Sequence, residues 1–253
     1  MFYNSLGYSG IEIQNILETK KIAIVGCGGI GSLVSINLIS AGINNIELID
    51  DDYIELSNLT RQLFFREKDV GKYKVDILKE EIAARNNKCK VSCKREKILS
   101  IKDAERIIDS KNDLIVLSGD NGGIIHIINE YSYKTNIPFI HASYISDIAA
   151  WGPFIIPNKT PCYECFFKKN ITQMEYPDND LLEKVKIINN SFQSPSFGPI
   201  NMLVSSMVTR DILFYLSGKL SEVHSIGKRI GIHTNNLKIE YQKHKKLKNC
   251  NCL

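Results

Sequence analysis

The sequence predicts an α/β fold built on a doubly wound, mostly parallel β-sheet. Short apolar runs alternate with helix-length segments from residue 21 to residue 117, and a glycine-rich turn follows the first run. After residue 137 the pattern changes to several short, mixed apolar segments. Alternating strands and helices are typical of parallel sheets covered by helices, whereas the later segments suit antiparallel strands that extend the sheet.

The elements follow one another without a glycine- or proline-rich linker. Residues 1–20 are expected to form one leading helix, because they carry spaced apolar side chains. The first half then predicts strands at 22–25, 46–49, 90–93 and 114–117, and helices at 33–41, 72–85 and 101–109. The second half predicts a helix at 200–216 and a terminal hairpin with Asn235 and Asn236 at its turn.

Composition excludes several classes of protein. The chain has 43% hydrophobic and 24% charged residues, as globular domains do. No apolar run is long enough to cross a bilayer, and residues 1–15 lack the positively charged start of a signal peptide, so we expect a cytoplasmic protein with no membrane partner. Much of the net charge of +4 lies at 243–248, where a solvated tail is favoured over a nucleic-acid contact.

A glycine-rich turn follows the first predicted strand. Residues 21–32, KIAIVGCGGIGS, contain the glycines Gly26, Gly28, Gly29 and Gly31. Such a turn lets backbone N–H groups approach a phosphate and aims a helix N-terminus at it. About twenty residues further on, Asp50 stands where a Rossmann-like unit places an acid that binds a ribose hydroxyl. A nucleotide is therefore the predicted ligand, and a turn without a ligand is the alternative.

Polar side chains are dense in the segment after Asp50. Four of them offer amide or cationic donors that suit phosphate oxygens: Asn58, Arg61, Gln62 and Lys74. Asp120, after the predicted strand 114–117, offers a carboxylate for Mg²⁺. Each residue alone is typical of a solvated surface, but together with the glycine turn they predict a triphosphate site. A nicotinamide-dependent dehydrogenase would explain the turn and Asp50, but not the cations and amides beyond it.

The cysteines divide into two close pairs and three separate residues. Seven cysteines in a cytosolic chain favour metal binding or catalysis over disulfides. Cys162 and Cys165 form a C-x-x-C pair, and Cys250 and Cys252 form a tighter C-x-C pair, which together predict a tetrahedral zinc site that holds the tail to the domain. The other three are expected to be packing residues: Cys27, Cys89 and Cys93.

These features predict a single domain over residues 1–253. A leading helix at 1–20 precedes a nucleotide-binding half at 21–136, and residues 137–253 are expected to provide substrate and dimer contacts with the zinc-bound tail. The stretch 168–198 is polar, contains prolines and lacks periodicity, which predicts a crossover loop beside the site. His141 is expected to be a hydrogen-bonded core histidine rather than a general base.

In their order along the chain, these motifs resemble the ThiF/MoeB/HesA family, the ATP-dependent adenylating enzymes related to ubiquitin-activating enzymes. The stretches that carry the resemblance are GCGGIGS, LIDDDYIELSNLTRQ, VGKYKVD, SGDN at 118–121, and CYEC. The resemblance implies that Asp120, next to Asn121, holds magnesium. It also implies a homodimer, a structural zinc bound by the two cysteine pairs, and ATP contacts from Gly29, Asp50, Asn58, Arg61, Gln62 and Lys74.

Within this family, the second half most resembles the members that modify the precursor peptide of the antibiotic microcin C. The stretches concerned are ASYISDIAAWGPFIIPNKTPCYEC, INNSFQSPSFGPINM and KRIGIHTN. The resemblance implies nucleotidyl transfer, from ATP or CTP, to the C-terminal Asn of a short ribosomal peptide. The substrate carboxylate or amide would attack the α-phosphorus, pyrophosphate would leave, and magnesium on Asp120 with Arg61 and Lys74 would stabilise the developing charge.

Two departures keep other functions open. The microcin-type members carry an N-terminal peptide-clamp domain, for which no room is expected before the first strand. A separate peptide-binding protein is a candidate partner that could supply the clamp. Many relatives also have an early arginine that reaches the partner's ATP, and YNSLGYS contains none. The alternatives are activation of a ubiquitin-fold sulfur carrier and a non-catalytic scaffold subunit. The polar cluster argues against the scaffold, and the absence of cysteine from 168–198 argues against a thioester.

Overall fold

The computed structural model describes residues 2–5, 7–119, 123–145, 147–165, 197–243, 245–247 and 250. Its strands form one sheet in the order β3-β2-β1-β4-β5-β6-β7-β8. Their bounds are β1 Lys21–Val25, β2 Asn45–Ile49, β3 Lys90–Lys94, β4 Leu114–Leu117, β5 Phe139–Ile145, β6 Ile148–Ile155, β7 Lys228–His233 and β8 Ile239–Lys243. The first five strands pair in parallel, and each pairing from β5 to β8 is antiparallel. The predicted fold class is confirmed.

The helices cover both faces of this sheet. Their bounds are α1 Phe2–Ser5, α2 Gly10–Glu18, α3 Gly31–Ser40, α4 Lys74–Arg85, α5 Ile101–Ile107, α6 Ile124–Thr135 and α7 Gly198–Leu216. The prediction of one leading helix at 1–20 is wrong, because the chain turns at Gly7, whose φ is +77°, and Ser9 then caps α2 by accepting from the N–H of Glu12. Helix α6 was not predicted, yet the parallel pairing of β4 with β5 requires such a crossover.

The central strands are buried on both faces, which explains their continuous apolar sequence. Ile22 and Ile24 of β1 belong to one core cluster, and Ala23 and Val25 belong to the cluster on the other face. Helices α3 and α7 pack against each other over the first cluster. Within the described residues, no helix has the length and apolar character needed to span a membrane.

The three cysteines expected to pack do so. Cys27 is fully buried, and Cys89 and Cys93 lie half-buried against the main core. Burial raises the pKa of Cys89 and that of Cys93 to about 11, so both thiols stay protonated near neutral pH.

The register of the parallel strands sets the position of the site. Val25 lies opposite Ile49 on one side and opposite Leu117 on the other, and Leu117 lies opposite His141. The carboxyl ends of β1, β2, β4 and β5 therefore meet at one edge, where open α/β sheets bind their ligands.

Candidate active site

A cleft of about 840 Å³ opens at the carboxyl edge of the sheet. Its lining combines the turn after β1, the segment after β2, the end of β5 and one residue each from α7 and β7. The predicted residues that border it are Gly26, Gly28, Gly29, Asp50, Asn58, Arg61, Gln62 and Lys74. Tertiary structure thus brings together most of the residues assigned to the nucleotide, while Gly31 lies just behind them in α3.

The glycine turn is closed so tightly that side chains cannot be added at two of its positions. Gly26 has φ +91°, and its carbonyl accepts from the Ser118 hydroxyl at 2.7 Å. A Cβ atom on Gly31 would lie 1.9 Å from that same carbonyl oxygen. Helix α3 begins here without a side-chain cap. Its first N–H groups therefore remain suited to a phosphate.

Asp50 is fixed by the backbone around it. Its Oδ2 accepts from the N–H of Cys27 at 2.6 Å, and its Oδ1 accepts from the N–H of Asp52 at 2.8 Å. Burial raises the pKa of Asp50, although Lys74 and these hydrogen bonds act in the opposite direction. Because each carboxylate oxygen can accept two hydrogen bonds, Asp50 keeps capacity for a ribose hydroxyl.

Lys74 enters the cleft from the first turn of α4. Its side chain is 8% exposed, and its Nζ lies 2.7 Å from Oδ2 of Asp52, which is 62% exposed. The ion pair therefore joins a buried cation to a carboxylate at the rim. This arrangement delivers positive charge to the cleft while the partner remains solvated.

Two predicted residues also have local structural roles. Asn58 lies in a 3₁₀ segment, Leu56–Thr60, and its Oδ1 accepts from the N–H of Glu55 at 3.2 Å. Arg61 donates from one Nη to the carbonyl of Ser57 at 3.1 Å. The segment is folded so that both side chains border the cleft.

Gln62 is buried beside the glycine turn. Its Oε1 has no hydrogen-bond partner among the described residues. A Cβ on Gly28 would stand 3.6 Å from its Nε2, so the amide lies next to Gly28, and both residues border the cleft. An unsatisfied buried acceptor at this position points to a donor supplied by a ligand or by water.

The opposite wall contains residues to which the sequence reasoning gave no role. Arg229 of β7 donates from Nη2 to the hydroxyl of Ser143 at 2.7 Å, and its buried Nε has no partner among the described residues. Burial lowers the pKa of Arg229. Asn201 of α7 also borders the cleft. An arginine directly before the apolar residues Ile230 and Ile232 of a predicted strand was the signal in the sequence that could have pointed to Arg229.

His141 does not meet its expectation. Its Nδ1 is buried and has no hydrogen-bond partner among the described residues, so it is not the satisfied core histidine that was predicted. Burial, and secondarily the nearby Arg229, lower the pKa of His141 to about 3. The ring is therefore neutral at physiological pH, at the end of β5 that borders the cleft.

A second cluster contains three of the four cysteines predicted to bind zinc. The Sγ of Cys162 lies 3.9 Å from that of Cys165 and 3.5 Å from that of Cys250. The three sulfur atoms lie within 4.8 Å of one another, a spacing and a chemistry that suit thiolate coordination of Zn²⁺. The N–H of Leu247 donates to the Sγ of Cys165, which brings the tail to this cluster. Cys252 lies outside the described residues.

Several other predictions also fall outside the described residues. Asp120 and Asn121 lie between Gly119 and Gly123, which both border the cleft. Most of the stretch 168–198 is likewise not described. The magnesium ligand and the crossover loop therefore remain predictions.

The fold and the cleft define an α/β protein with a nucleotide-type site at the carboxyl edge of its sheet. The chain belongs to the ThiF family, which it matches over residues 3–253. The family predicted from the motifs is confirmed.

Solved structures of a microcin biosynthetic enzyme are similar to this chain over nearly all its length. The crystal structure of E. coli MccB with ATP shares 36% identity and a TM-score of 0.89, covering 99% of this chain and 72% of that one. The structure of E. coli MccB with AMPCPP and MccA gives a TM-score of 0.90 at the same identity, covering 99% of this chain and 71% of that one.

Curated relatives are similar over a shorter part of the chain. The adenylyltransferase and sulfurtransferase uba4 of Aspergillus niger is 32% identical over 170 residues, which are 63% of this chain and 34% of the relative. The SUMO-activating enzyme subunit 2 of Dictyostelium discoideum is 31% identical over 152 residues, which are 59% of this chain and 22% of the relative. The matched region is thus between about a fifth and a third of the length of these proteins.

Proposed function

We propose that this chain is an ATP-dependent nucleotidyltransferase that adenylates the C-terminus of a short peptide. The observation that carries the proposal is a cleft bordered on one side by the glycine turn, Asp50, Arg61 and Lys74 and on the other by residues of β5 and β7. Support also comes from similarity over 99% of the chain to E. coli MccB in structures with ATP and with MccA. One cleft with two chemically different walls suits a nucleotide and a second substrate.

The proposed reaction is attack of the terminal carboxylate on the α-phosphorus. A bond forms between carboxylate oxygen and phosphorus, and the bond from phosphorus to pyrophosphate breaks. The start of α3 binds phosphate oxygens, Asp50 orients the ribose, and Arg61 and Lys74 stabilise the charge that develops. Magnesium, which we propose is held by Asp120, would neutralise the phosphate oxygens. A carboxylate nucleophile needs no general base, which agrees with the pKa of about 3 that makes His141 a weak base.

We propose different roles for the two halves of the chain. Residues 21–136 would bind the nucleotide, and residues 137–253 would bind substrate and form a homodimer contact. Zinc on Cys162, Cys165, Cys250 and Cys252 would fix the tail. We place the enzyme in the cytoplasm, where reduced thiolates are available for zinc.

Mass spectrometry tests the substrate directly. A short peptide ending in Asn is incubated with the protein, Mg²⁺ and either ATP or CTP. We expect a peptide that carries one nucleoside monophosphate, and we expect the Lys74→Ala variant to yield far less of it. An unmodified peptide in a reaction that adenylates a carrier ending in Gly-Gly would refute the peptide proposal.

Activation of a ubiquitin-fold sulfur carrier is the second candidate. The similarity to uba4, an adenylyltransferase and sulfurtransferase, favours it. Exchange of labelled pyrophosphate into ATP separates the two, because exchange requires the correct acceptor. Stimulation by the carrier alone would select this second function. Exchange with neither acceptor would support the scaffold alternative.

A further inference from the structure

We propose that Arg229 binds the C-terminal α-carboxylate of the substrate and positions it for attack on the nucleotide. This inference rests on the proposed function, since it names the group that the same cleft would recognise. It applies to a peptide and to a carrier protein alike, because each ends in an α-carboxylate. Its basis is a half-buried arginine whose Nε is buried without a hydrogen-bond partner and whose guanidinium lacks a counter-ion within the described residues.

Only part of the hydrogen-bonding capacity of Arg229 is satisfied within the described residues. The Ser143 hydroxyl accepts from Nη2, whereas the buried Nε has no partner among the described residues. No carboxylate of those residues forms an ion pair with it. Partial removal of a cation from water without a counter-ion costs free energy, and this desolvation lowers the pKa of Arg229. A planar guanidinium with free N–H donors is suited to bind an incoming carboxylate through two hydrogen bonds.

The position of the guanidinium separates it from the phosphate end of the cleft. Ser143, to which it donates, follows His141 by two residues on β5, and β5 is two strands from β1 in the sheet. At the usual spacing between strands, this is about 10 Å from the strand that leads into the glycine turn. Arg61 and Lys74 already supply cations on the glycine side. Arg229 is thus placed for a second anionic group rather than for the same phosphates.

The neighbour of Arg229 is neutral. His141 borders the same wall, and its low pKa of about 3 means that it adds no charge at physiological pH. The positive charge of this wall therefore comes from the guanidinium. Recognition of an anion should depend on Arg229 and should not change as the solution passes through pH 6 to 8.

Matched peptide termini test the proposal. Two peptides of identical sequence ending in Asn are compared, one with a free α-carboxylate and one with a C-terminal amide. Binding is measured by calorimetry in the presence of a non-hydrolysable ATP analogue, and the same pair of termini is prepared on a carrier ending in Gly-Gly. We expect the wild-type protein to bind the free carboxylate about 10- to 100-fold more tightly, the range for a hydrogen-bonded charge.

Variants assign that preference to one side chain. Arg229→Gln should bind both termini with the same weak affinity, and Arg229→Lys should recover part of the preference, since it restores charge but not the planar donor pair. Affinity for the ATP analogue should stay within about threefold of wild type. Arg85→Gln, which removes an arginine paired with Glu81 at the end of α4, is the matched control and should keep the full preference.

Each other outcome contradicts a stated part of the argument. A preference that survives in Arg229→Gln, or equal binding of both termini by the wild-type protein, overturns the inference and leaves the proposed function standing. Lost affinity for the ATP analogue with an unchanged peptide preference would assign Arg229 to phosphate. Binding of neither peptide nor carrier would overturn the proposed function as well. The comparison of the two peptide termini uses the wild-type protein, so its result does not depend on whether a variant folds.

Discussion

Replacement of Lys74 tests whether the reaction needs positive charge in the cleft. We expect Lys74→Ala to reduce substrate-dependent pyrophosphate exchange by about 100-fold or more, as loss of one group that stabilises developing charge commonly does. The fold should survive, because the partner carboxylate of Asp52 is largely solvent-exposed and such pairs contribute little to stability.

Lys72 provides the control for this change. It lies two residues away, half-exposed, and pairs with Asp69 at 3.1 Å outside the cleft. Lys72→Ala should leave the exchange rate within about twofold, the range expected for a surface change. Normal pyrophosphate exchange in Lys74→Ala would mean that Lys74 only pairs with Asp52 and does not contribute to the reaction.

His141 should make the stability of the fold depend on pH. The pKa of His141 is about 3 in the folded chain, against an ordinary value of 6.5. Between pH 3 and pH 6.5, His141 is therefore protonated in the unfolded chain and neutral in the folded chain. The stabilisation is present above pH 6.5 and is lost as the pH falls. Between pH 6.5 and pH 5 this amounts to at most about 2 kcal/mol.

Urea unfolding at pH 7 and pH 5 measures this loss. His141→Asn removes the titrating ring, so the variant should lose less stability than the wild-type protein over this interval, by up to the same ~2 kcal/mol. Equal losses in the two proteins would mean that His141 titrates normally in the fold.

Among the secondary-structure elements, the turn between β1 and α3 should respond differently to replacement of different glycines. A Cβ on Gly31 would collide with the Gly26 carbonyl at 1.9 Å and with the Ser118 hydroxyl at 2.6 Å. Gly31→Ala should therefore destabilise the protein by about 3 kcal/mol or more, within the range for severe overpacking.

Gly28→Ala is the matched substitution in the same turn. Its nearest neighbour would be the Gln62 amide at an ordinary contact distance of 3.6 Å. The melting temperature should change little, whereas ATP affinity should fall, because the new methyl group occupies the lining of the cleft. Thermal unfolding and nucleotide titration of both variants check the contrast, and a stable Gly31→Ala protein would argue against this turn geometry.

At the scale of the whole molecule, the cysteine cluster joins residues distant in the chain. If Cys162, Cys165 and Cys250 bind zinc together with Cys252, the purified protein should contain about one equivalent of the metal. Cys165→Ser should lose the metal and lower the melting temperature, because the fixed tail would be released. ATP affinity should be retained, since the three described cysteines of this cluster do not border the cleft.

Cys89→Ser serves as the comparison, because Cys89 lies half-buried against the main core and away from this cluster. It should retain the zinc. Elemental analysis that finds no zinc in protein prepared without a chelator would contradict the prediction.

The parallel sheet could be predicted from local patterns, because buried central strands are continuously apolar and strands alternate with helices along the chain. The sequence by itself also determined the family, since the glycine turn and the polar residues after Asp50 lie close together along the chain. The other wall of the cleft could not be predicted, because it forms from residues far apart in the chain. Arg229 reaches Ser143 across 86 positions of sequence, and local patterns carry no information about such pairings. For the same reason His141, an ordinary residue in the sequence, became partly buried with an unsatisfied Nδ1 only when β5 was placed beside β4 and its carboxyl end met the cleft.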